Sequence, residues 1–351
     1  MRLSPFSGPA FGHIGTVARS QTQQLAPEPD YDDDAPRRRF GGRKLGFFLV
    51  TLALLFVAFV VLRIAGIESI EVLVAAMALT PYVAAFGLVL GLLCVLLRRR
   101  VVGFTVLLLA LALGALLVPR VLSEEQPAAA GPRLRIMSLN LYIGRADPET
   151  VVRIAREQKI DVLIMPELTD QEDAALGEAG LEELLPNRVY DTDTSGSGTA
   201  VVSKFPLRQI SLMPETTLAQ PSMVVDLPGI TDDVELTAVH IQPGVRTGSA
   251  GTWRRELGEL PRRKEQVRIM AGDFNASYDH AAFRALVDRG YADAAESTGD
   301  GLEATWRSWP FGPPVTIDHI LADDRCAFAS YAVFDIPGSD HKAVVSEVIL
   351  P

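Results

Sequence analysis

Cysteine is scarce in this sequence of 351 residues, which contains only Cys94 and Cys326. Cys94 lies inside an apolar stretch and Cys326 lies in the acidic second half, so a disulfide between them is not expected. Neither has a neighbouring Cys or His at zinc-finger spacing, which argues against a structural zinc site. The folded part must therefore be stabilised by a hydrophobic core, and residues 133–351 are numerous enough to form one.

Positive charge is also scarce in the second half of the chain. Residues 1–132 carry 12 Lys and Arg against 9 Asp and Glu, whereas residues 133–351 carry 21 against 34. Affinity for nucleic acid comes mainly from Lys and Arg that neutralise phosphates, so the acidic portion is a poor general match for that partner. A local basic patch or a bound metal ion would offset this balance.

Charge is absent from the interior of three long apolar stretches, residues 45–63, 72–97 and 101–118, with Arg63 at the edge of the first. Each is about as long as the ~17–25 residues that cross a bilayer as a helix. We therefore predict three transmembrane helices, the second of which is interrupted by Pro81. A cleaved signal peptide fits less well, because the first stretch starts near residue 45 and two more follow it.

The residues that flank these stretches predict an orientation. Residues 1–44 have no apolar period and are rich in Gln, Pro, Ser and Asp, which is typical of a disordered tail. Arg and Lys cluster at 37–44 and 98–100, and positive segments remain in the cytoplasm. We therefore predict a multi-pass protein of the cell membrane with a cytoplasmic N-terminus. A linker at 119–132 would join the spans to an extracytoplasmic catalytic domain at 133–351.

From residue 133 onward, short apolar runs alternate with helical stretches and turns. Helical spacing predicts helices over residues 148–158, 170–185, 252–265 and 280–289. Strands are predicted in the runs LRIMSLNLY, IDVLIMPEL, SGTAVVSKFPL, DVELTAVHI, VRIMAGDFN, PVTIDHIL, YAVFDI and AVVSEVIL.

Polar side chains occur at or beside the ends of these strands: Asn140, Glu167, His240, Asp273, Asn275, Asp318, His319, Asp340 and His341. Taken singly, each has a structural interpretation; Asn140, for example, suits a hydrogen bond at a strand end, and Asp340 suits a turn. Taken together, they predict several carboxylates at one edge of the fold. Such carboxylates repel one another unless a cation lies among them.

The ordered set SLN, MPEL, AVHI, GDFN, TIDHIL and GSDH resembles the endonuclease/exonuclease/phosphatase superfamily, which has the deoxyribonuclease I-like fold. The resemblance covers residues 133–351, and its most specific feature is GDFN followed by a later SDH. The segments SGTAVVSKFP and ATW are also similar to the family. Two departures, at TAVH and VTIDH, leave the core chemistry in place but make the substrate of any one relative an unsafe guide.

The resemblance implies an α+β fold, a four-layer α/β sandwich of two mostly antiparallel sheets flanked by helices. In this chain the three transmembrane helices would precede it. The functional site is expected at one edge of the sandwich.

Hydrolysis of a phosphoester requires an activated water, neutralised phosphoryl oxygens and a stabilised leaving oxygen. Glu167 is the leading ligand for Mg²⁺ or Mn²⁺, because a hard carboxylate suits these ions. Asn140 and Asp340 would complete or support that metal site. Asp273 is the candidate general base, or the group that orients the attacking water. Asn275 would hold water or a phosphoryl oxygen.

Two histidines are expected to stabilise the negative charge that develops during hydrolysis. His240 and His341 are candidate donors to the phosphoryl oxygens. The resemblance pairs Asp318 with His341, which would favour the protonated imidazole. His319 follows Asp318 on a strand and is expected to point to the opposite face in a structural role.

The leading hypothesis is a membrane-anchored, divalent-metal-dependent phosphoester hydrolase that acts outside the cytoplasm. Its substrate would be a lipid head group, a small phosphoester or a nucleic acid, and no protein partner is predicted. An extracellular nuclease on DNA or RNA is the alternative enzyme, favoured if Arg145, Arg246, Arg254 and Arg255 form a basic groove. A non-catalytic phosphoester-binding sensor is the alternative from another class, although every matched catalytic position is occupied.

Overall fold

The computed structural model describes residues 40–191, 198–230, 234–307 and 312–351. Residues 1–39 of the predicted tail at 1–44 lie outside the described residues. The helices are α1 (Phe40–Ile64), α2 (Glu71–Ala78), α3 (Thr80–Leu96), α4 (Arg100–Leu117), α5 (Pro148–Glu157), α6 (Asp170–Glu178), α7 (Leu181–Leu184), α8 (Ala250–Glu259), α9 (Ala281–Val287) and α10 (Ala294–Thr298). The strands are β1 (Arg133–Ser138), β2 (Val162–Pro166), β3 (Asn187–Asp191), β4 (Thr199–Ser203), β5 (Leu207–Ile210), β6 (Ser222–Val225), β7 (Val234–His240), β8 (Val267–Asp273), β9 (Tyr291–Asp293), β10 (Asp318–Asp323), β11 (Ala327–Asp335) and β12 (Lys342–Ile349).

The strands form two six-stranded sheets. The first has the order β11-β12-β1-β2-β4-β3 and the second has the order β5-β6-β7-β8-β10-β9. Each sheet contains a parallel pair, β1 with β2 in the first and β7 with β8 in the second, among antiparallel neighbours. Both sheets are therefore mixed and mostly antiparallel, and helices flank them as the resemblance implied.

The main core lies between the two sheets. Successive side chains of a strand point to opposite faces, so every second residue of the central strands enters this core. Ile136 of β1, Ala238 of β7 and Ile320 of β10 belong to it. Burial of such apolar surface stabilises the fold by roughly 25 cal/mol per Å². Cys94 and Cys326 are both buried and free.

Helices cover the outer faces of the sheets. Val151 of α5 packs in one cluster with Met165 of β2. Trp253 of α8 and Phe283 of α9 pack in another with Met270 of β8. The order helix, sheet, sheet, helix gives the four layers of an α+β sandwich.

Several elements differ from the sequence-based prediction. Helix α8 ends at Glu259, well before residue 265, because Leu260 has extended backbone and Pro261 cannot continue a helix. The helix expected over residues 170–185 is divided into α6 and α7 at Gly180, which has φ of 92°. Strands β3, β5, β6 and β9 were not predicted, because runs of three to five residues carry little periodicity.

Two apolar helices, Lys44–Ile64 and Arg100–Leu117, are long enough to cross a membrane. The second stretch expected as a span is not one straight helix, because α2 and α3 meet at an angle of 72°. The break lies at Leu79, just before Pro81, which lacks an N–H donor and crowds the preceding turn. Among the described residues, two helices are thus long and apolar enough to cross a membrane, or three if this bent pair counts as one span.

Residues 119–132 lie against the domain instead of forming a free tether. The side chain of Arg120 is buried. Gln126 Nε2 donates to the Phe328 carbonyl at 3.0 Å, and the Gly131 amide donates to the Leu350 carbonyl at 2.9 Å. This segment therefore runs along the sandwich and joins the start of β1.

We predict that Gly272→Ala destabilises the protein by about 3 kcal/mol, at the upper end of what overpacking usually costs. Gly272 precedes Asp273 in β8 and has φ of 149°, and an added Cβ would lie 1.9 Å from the Val239 carbonyl oxygen of β7. Thermal unfolding of the full chain in detergent measures the effect. Gly258→Ala in α8 is the control, since its added Cβ meets nothing within 4 Å. Equal melting temperatures for Gly272→Ala and wild type would contradict this packing.

Candidate active site

Two rows of polar residues face each other where the central strands of the two sheets end. In the second sheet, Asp273 of β8 lies in register with His240 of β7 and with Asp318 of β10. All three continue the inward-facing positions of their strands, so they lie between the sheets. In the first sheet, Asn140, Glu167 and His341 lie just beyond β1 and β2 and just before β12. We call these six residues the site edge.

Asn140 joins the two rows. Its Nδ2 donates to Glu167 Oε1 at 3.0 Å and to Asp273 Oδ2 at 3.1 Å. Its Oδ1 accepts the Tyr142 amide at 2.9 Å. The amide side chain therefore lies between two carboxylates and holds them at a defined separation.

Glu167 is positioned by an unusual backbone. It has φ of 60°, in the left-handed region that non-glycine residues seldom adopt. Its Oε2 accepts the Ile143 amide at 2.9 Å, and Tyr142 and Ile143 also have positive φ. Non-glycine residues in this region are strained and cluster at functional sites. The MPEL motif located the glutamate, but no sequence signal indicated the Ile143 amide.

Asp273 and Asn275 form a closed turn at the end of β8. The Asn275 amide donates to Asp273 Oδ1 at 2.8 Å, and Asn275 Nδ2 donates to Asp273 Oδ2 at 3.1 Å. Burial raises the pKa of Asp273 to about 7. The charge of Asp318 adds to this rise, and His341 and the hydrogen bonds from the Asn275 amide and the Asn140 side chain oppose it. Ionisation of this carboxylate is therefore costly unless a positively charged group or a metal ion lies nearby.

His341 is held in its protonated form. Its Nδ1 donates to Asp318 Oδ2 at 2.9 Å, and its Nε2 lies 3.8 Å from Asp273 Oδ2. Burial lowers the pKa of His341, but the charges of Asp318 and Asp273 outweigh burial and raise this pKa to about 9. The imidazolium can therefore offer its Nε2 proton to the space between the two rows.

Thr305 fixes the orientation of Asp318 and was not predicted as a functional residue. Its hydroxyl donates to Asp318 Oδ2 at 2.7 Å and accepts the backbone amides of Ile317 and Asp318, each at 3.0 Å. The side chain is fully buried. The ATW segment was the only sequence signal for this position.

His240 differs from His341 in charge. Burial lowers the pKa of His240 to about 3, with further lowering by His341 and Arg246. Its Nε2 lies 3.8 Å from Glu167 Oε1, and its Nδ1 has no hydrogen-bond partner among the described residues. A neutral imidazole keeps one N–H donor, so His240 retains the capacity to donate to an oxyanion.

Asp340 lies beside the site edge, and its Oδ1 lies 3.9 Å from His341 Nε2. Trp306 Nε1 donates to Asp340 Oδ2 at 3.0 Å, whereas Asp340 Oδ1 is buried with no hydrogen-bond partner within the described part of the chain. Both residues line a cavity of about 310 Å³ together with His341, Arg307 and Lys342. Trp306, again signalled only by ATW, therefore orients a carboxylate that was expected to support a metal ion.

His319 lies away from the other predicted residues, as strand alternation indicated. Its Nδ1 lies 2.6 Å from Asp293 Oδ2, and its Nε2 lies 2.9 Å from the Ala276 carbonyl. Its ring packs on Phe274 and Phe283. This side chain belongs to the core between β10 and α9.

The four arginines considered for a nucleic-acid groove are partly engaged elsewhere. Arg254 donates to the Glu68 carbonyl at 3.3 Å, and Arg255 donates to Glu259 at 3.0 Å. Arg145 stacks on the ring of Tyr142, 4.8 Å from its centroid. Arg254 and Arg255 of α8 therefore have partners within the chain, and both remain exposed at the surface.

The donor atoms at the site edge suit a hard divalent cation. Asp273, Asp318 and His341 offer ligand atoms within 4.8 Å of one another. His341 is protonated and bonded to Asp318, so its positive charge offsets one of the two carboxylates of this trio. Glu167 Oε1 and Asp340 Oδ1, which accepts no hydrogen bond from the described residues, are carboxylate oxygens, and Mg²⁺ and Mn²⁺ prefer such ligands. The residues present therefore fit such an ion.

Comparisons with known proteins give one family. The sequence profile described as "Endonuclease/Exonuclease/phosphatase family" matches residues 137–341, more than half of the chain. No curated protein sequence matches.

Solved structures similar to the chain include an endonuclease/exonuclease/phosphatase from Beutenbergia cavernae, with 18% identity, a TM-score of 0.48, and coverage of 62% of this chain and 72% of that one. Truncated TDP2 from Caenorhabditis elegans has 17% identity and a TM-score of 0.46, with coverage of 62% and 98%. The beta toxin of Staphylococcus aureus has 16% identity and a TM-score of 0.46, with coverage of 61% and 99%.

We predict that Asp318→Asn moves the alkaline limb of the pH–rate profile to lower pH by at least about one unit. The charge of Asp318 raises the pKa of His341 to about 9, so its loss lets this pKa fall and deprotonates the donor earlier. Rates of phosphodiester hydrolysis between pH 6 and 10 measure the shift. Asp293→Asn is the matched control, because Asp293 pairs with His319 outside the site. Superimposed profiles for Asp318→Asn and wild type would rule out this role.

Proposed function

The chain belongs to the endonuclease/exonuclease/phosphatase family, whose members are metal-dependent hydrolases of phosphoester bonds, and we propose that it is a membrane-anchored member acting outside the cytoplasm. The observation that carries the catalytic part is the Asn140 bridge. It holds Glu167 and Asp273 together, and Nε2 of the protonated His341 lies 3.8 Å from the same Asp273 oxygen, Oδ2, that Asn140 contacts. A carboxylate for a metal, a base for water and a donor for phosphate thus occupy one small volume.

Glu167 is proposed as the main ligand of Mg²⁺ or Mn²⁺, with Asn140 and Asp340 completing or supporting the site. When bound, such an ion neutralises phosphoryl oxygens and favours attack by water. The backbone amide of Ile143 and the side chain of Asn140 keep the Glu167 carboxylate in place. The indole of Trp306 does the same for Asp340.

Asp273 is proposed to accept the proton of the attacking water. A pKa of about 7 suits a general base that works near neutral pH. Asn275 orients this carboxylate through its backbone and side-chain amides, and its Nδ2 also donates to the Ile241 carbonyl at 2.9 Å. Its Oδ1 is therefore the atom proposed to hold the attacking water, as an acceptor. The base and its positioning group therefore come from a single turn.

His341 and His240 are proposed to stabilise the phosphoryl oxygens in different ways. His341 donates Nε2–H as a cation, since Asp318 fixes its Nδ1 proton and Thr305 fixes Asp318. His240 donates as a neutral imidazole. Donors that are oriented before the reaction stabilise a developing oxyanion most effectively.

The membrane anchor is supported by helices α1 and α4, which are long and apolar enough to span a bilayer. The Arg98–Arg100 cluster between α3 and α4 favours the cytoplasm. Together with the arginine-rich segment before α1, it supports an extracytoplasmic position for residues 133–351.

The two alternatives have less support. An extracellular nuclease would need a basic groove, yet the domain has a large excess of acidic residues and Arg254 and Arg255 are engaged by other groups. A phosphoester-binding sensor would be expected to lack a catalytic group, whereas all the proposed groups are present at or beside the site edge.

We predict that Asp273→Asn, Glu167→Gln and His341→Gln each reduce hydrolysis at least about 10³-fold in the folded full chain, since each removes a base, a ligand or an oxyanion donor. The assay uses bis(p-nitrophenyl) phosphate, DNA, RNA and phospholipid vesicles with Mg²⁺ or Mn²⁺. Glu157→Gln, at an exposed carboxylate of α5, is the control. Wild-type rates in Asp273→Asn would falsify the proposed base.

We predict that EDTA abolishes hydrolysis and that Mg²⁺ or Mn²⁺ restores it. In calorimetric titrations, Glu167→Gln should weaken metal binding at least about tenfold, because the charged oxygen that contacts the ion directly is lost. Asp318→Asn tests the neighbouring Asp273–Asp318–His341 trio in the same titration. A larger effect in Asp318→Asn than in Glu167→Gln would move the metal to that trio, and absence of both metal binding and turnover would support the sensor.

A further inference from the structure

The outer ends of the apolar helices contact the catalytic domain directly. Arg63, at the end of α1, donates to Asp279 Oδ1 at 3.2 Å, and Arg120, just after α4, donates to Asp279 Oδ2 at 2.9 Å. Tyr82, in the first turn of α3, donates to the Pro314 carbonyl at 2.7 Å. One carboxylate of the domain thus receives guanidinium groups from two helices that are far apart in the chain.

These contacts fall on the loops that leave the site edge. Asp279 lies four residues after Asn275, and Pro314 lies in the connection between Trp306 and Asp318. The Gly248 amide, in the loop that follows His240, donates to Glu71 Oε1 of α2 at 2.9 Å. The apolar helices are therefore attached at the end of the sandwich that carries the site.

The path of the segment after α4 also indicates that the apolar helices are attached at the site end of the sandwich. Arg120 contacts Glu296 and the Gly301 carbonyl near the site edge. The chain then passes Phe328 and reaches the Leu350 carbonyl, where β12 ends and β1 begins. It must run along the sandwich from the site end to the far end before the first strand starts.

The contact between the apolar helices and the domain is buried, and charged groups come from both the helix ends and the domain. The side chains of Arg63, Arg120 and Asp279 are 10%, 6% and 3% exposed. Glu68, between α1 and α2, accepts the amides of Ala281 and Ala282 at 3.1 Å and 2.6 Å. Because removal of one partner would leave an unpaired buried charge, this junction resists reorientation of the domain.

The rim of the site carries apolar side chains next to arginines. Ile143, beside Glu167, is 45% exposed, and Val245, in the loop after His240, is 54% exposed. Arg145 and Arg246 follow them closely in the sequence. Exposed aliphatic tips beside guanidinium groups suit the boundary between lipid tails and phosphates.

Resting on the proposed function, we infer that the site edge docks on the outer leaflet of the membrane that holds the apolar helices. The loop tip at Val245 would contact the lipid interface. The phosphoester head group of a lipid in that leaflet would enter the site from the membrane side. The class of substrate is therefore a membrane phospholipid, because the junction presents the site to head groups and away from bulk solution.

Two esters with the same leaving group test this docking. The full chain is reconstituted in phosphatidylcholine vesicles and supplied with soluble bis(p-nitrophenyl) phosphate or with a diacylglycerol p-nitrophenyl phosphodiester in the bilayer. Val245→Asp should lower the ratio of lipid to soluble hydrolysis at least about fivefold, because a charge at the tip opposes insertion. Tyr190→Asp is the matched control, since Tyr190 is 48% exposed on β3, the outermost strand of the first sheet.

A direct measure of depth separates docking from catalysis. Bimane attached at Val245→Cys should be quenched by nitroxide-labelled lipid at least about threefold more strongly than bimane at Tyr190→Cys, because lipid-borne quenchers act only near the bilayer. Both native cysteines are buried and do not compete for the label.

Equal quenching at the two positions, or equal ratios for the two Asp variants, would overturn the docking. Absence of hydrolysis of both esters, with Val245 still quenched, would refute the proposed enzyme and leave the docking in place. Hydrolysis of the soluble ester alone, with no quenching, would refute the docking and leave the enzyme in place.

Discussion

Negative charge confined between two sheets is the constraint on which the rest of the site depends. Asp273 and Asp318 lie in register on adjacent strands, and burial makes their joint ionisation costly. Hydrogen-bond donors around the two carboxylates offset this repulsion. Asn140 and Asn275 bond Asp273, while His341 and Thr305 bond Asp318. A divalent cation would extend the same compensation to Glu167, so metal affinity and the stability of this edge have a common physical origin.

The same constraint separates the roles of the two histidines. His240 and His341 are both buried, and burial alone would keep either imidazole neutral. The carboxylates beside His341 reverse this effect. Burial and the charges of His341 and Arg246 keep His240 neutral, although Glu167 Oε1 lies 3.8 Å from its Nε2. Two residues of one type therefore supply a cationic and a neutral donor because their neighbours differ.

A second buried charge cluster connects the site with the apolar helices. Asp279 follows the GDFNAS turn and receives Arg63 and Arg120. Such buried pairs contribute little to net stability compared with apolar packing, but they tolerate few alternative arrangements. Their position directly after the catalytic turn links the orientation of the domain to the geometry of Asp273 and Asn275.

Sequence patterns were sufficient for the central strands and for the polar residues at their ends, because alternation and strand-end motifs are local. The period of two in β7, β8 and β10 already places His240, Asp273 and Asp318 on the inner face. The resemblance supplied the pairing of Asp318 with His341. The short strands β3, β5, β6 and β9 were missed, because they depend on neighbours in the sheet more than on their own residues.

Residue type and local spacing were enough to predict which side chains carry the proposed chemistry and which segments are apolar enough for a bilayer. The partners of these side chains follow from the tertiary structure alone. Thr305 beside Asp318, Trp306 beside Asp340, and the arginines on Asp279 join segments through folding, the last across 216 and 159 residues. Because of the bend between α2 and α3, α2 packs against the folded domain, where Val74 lies in one apolar cluster with Trp253. No local pattern encodes such contacts, because they form only when distant surfaces bury charge and apolar area together.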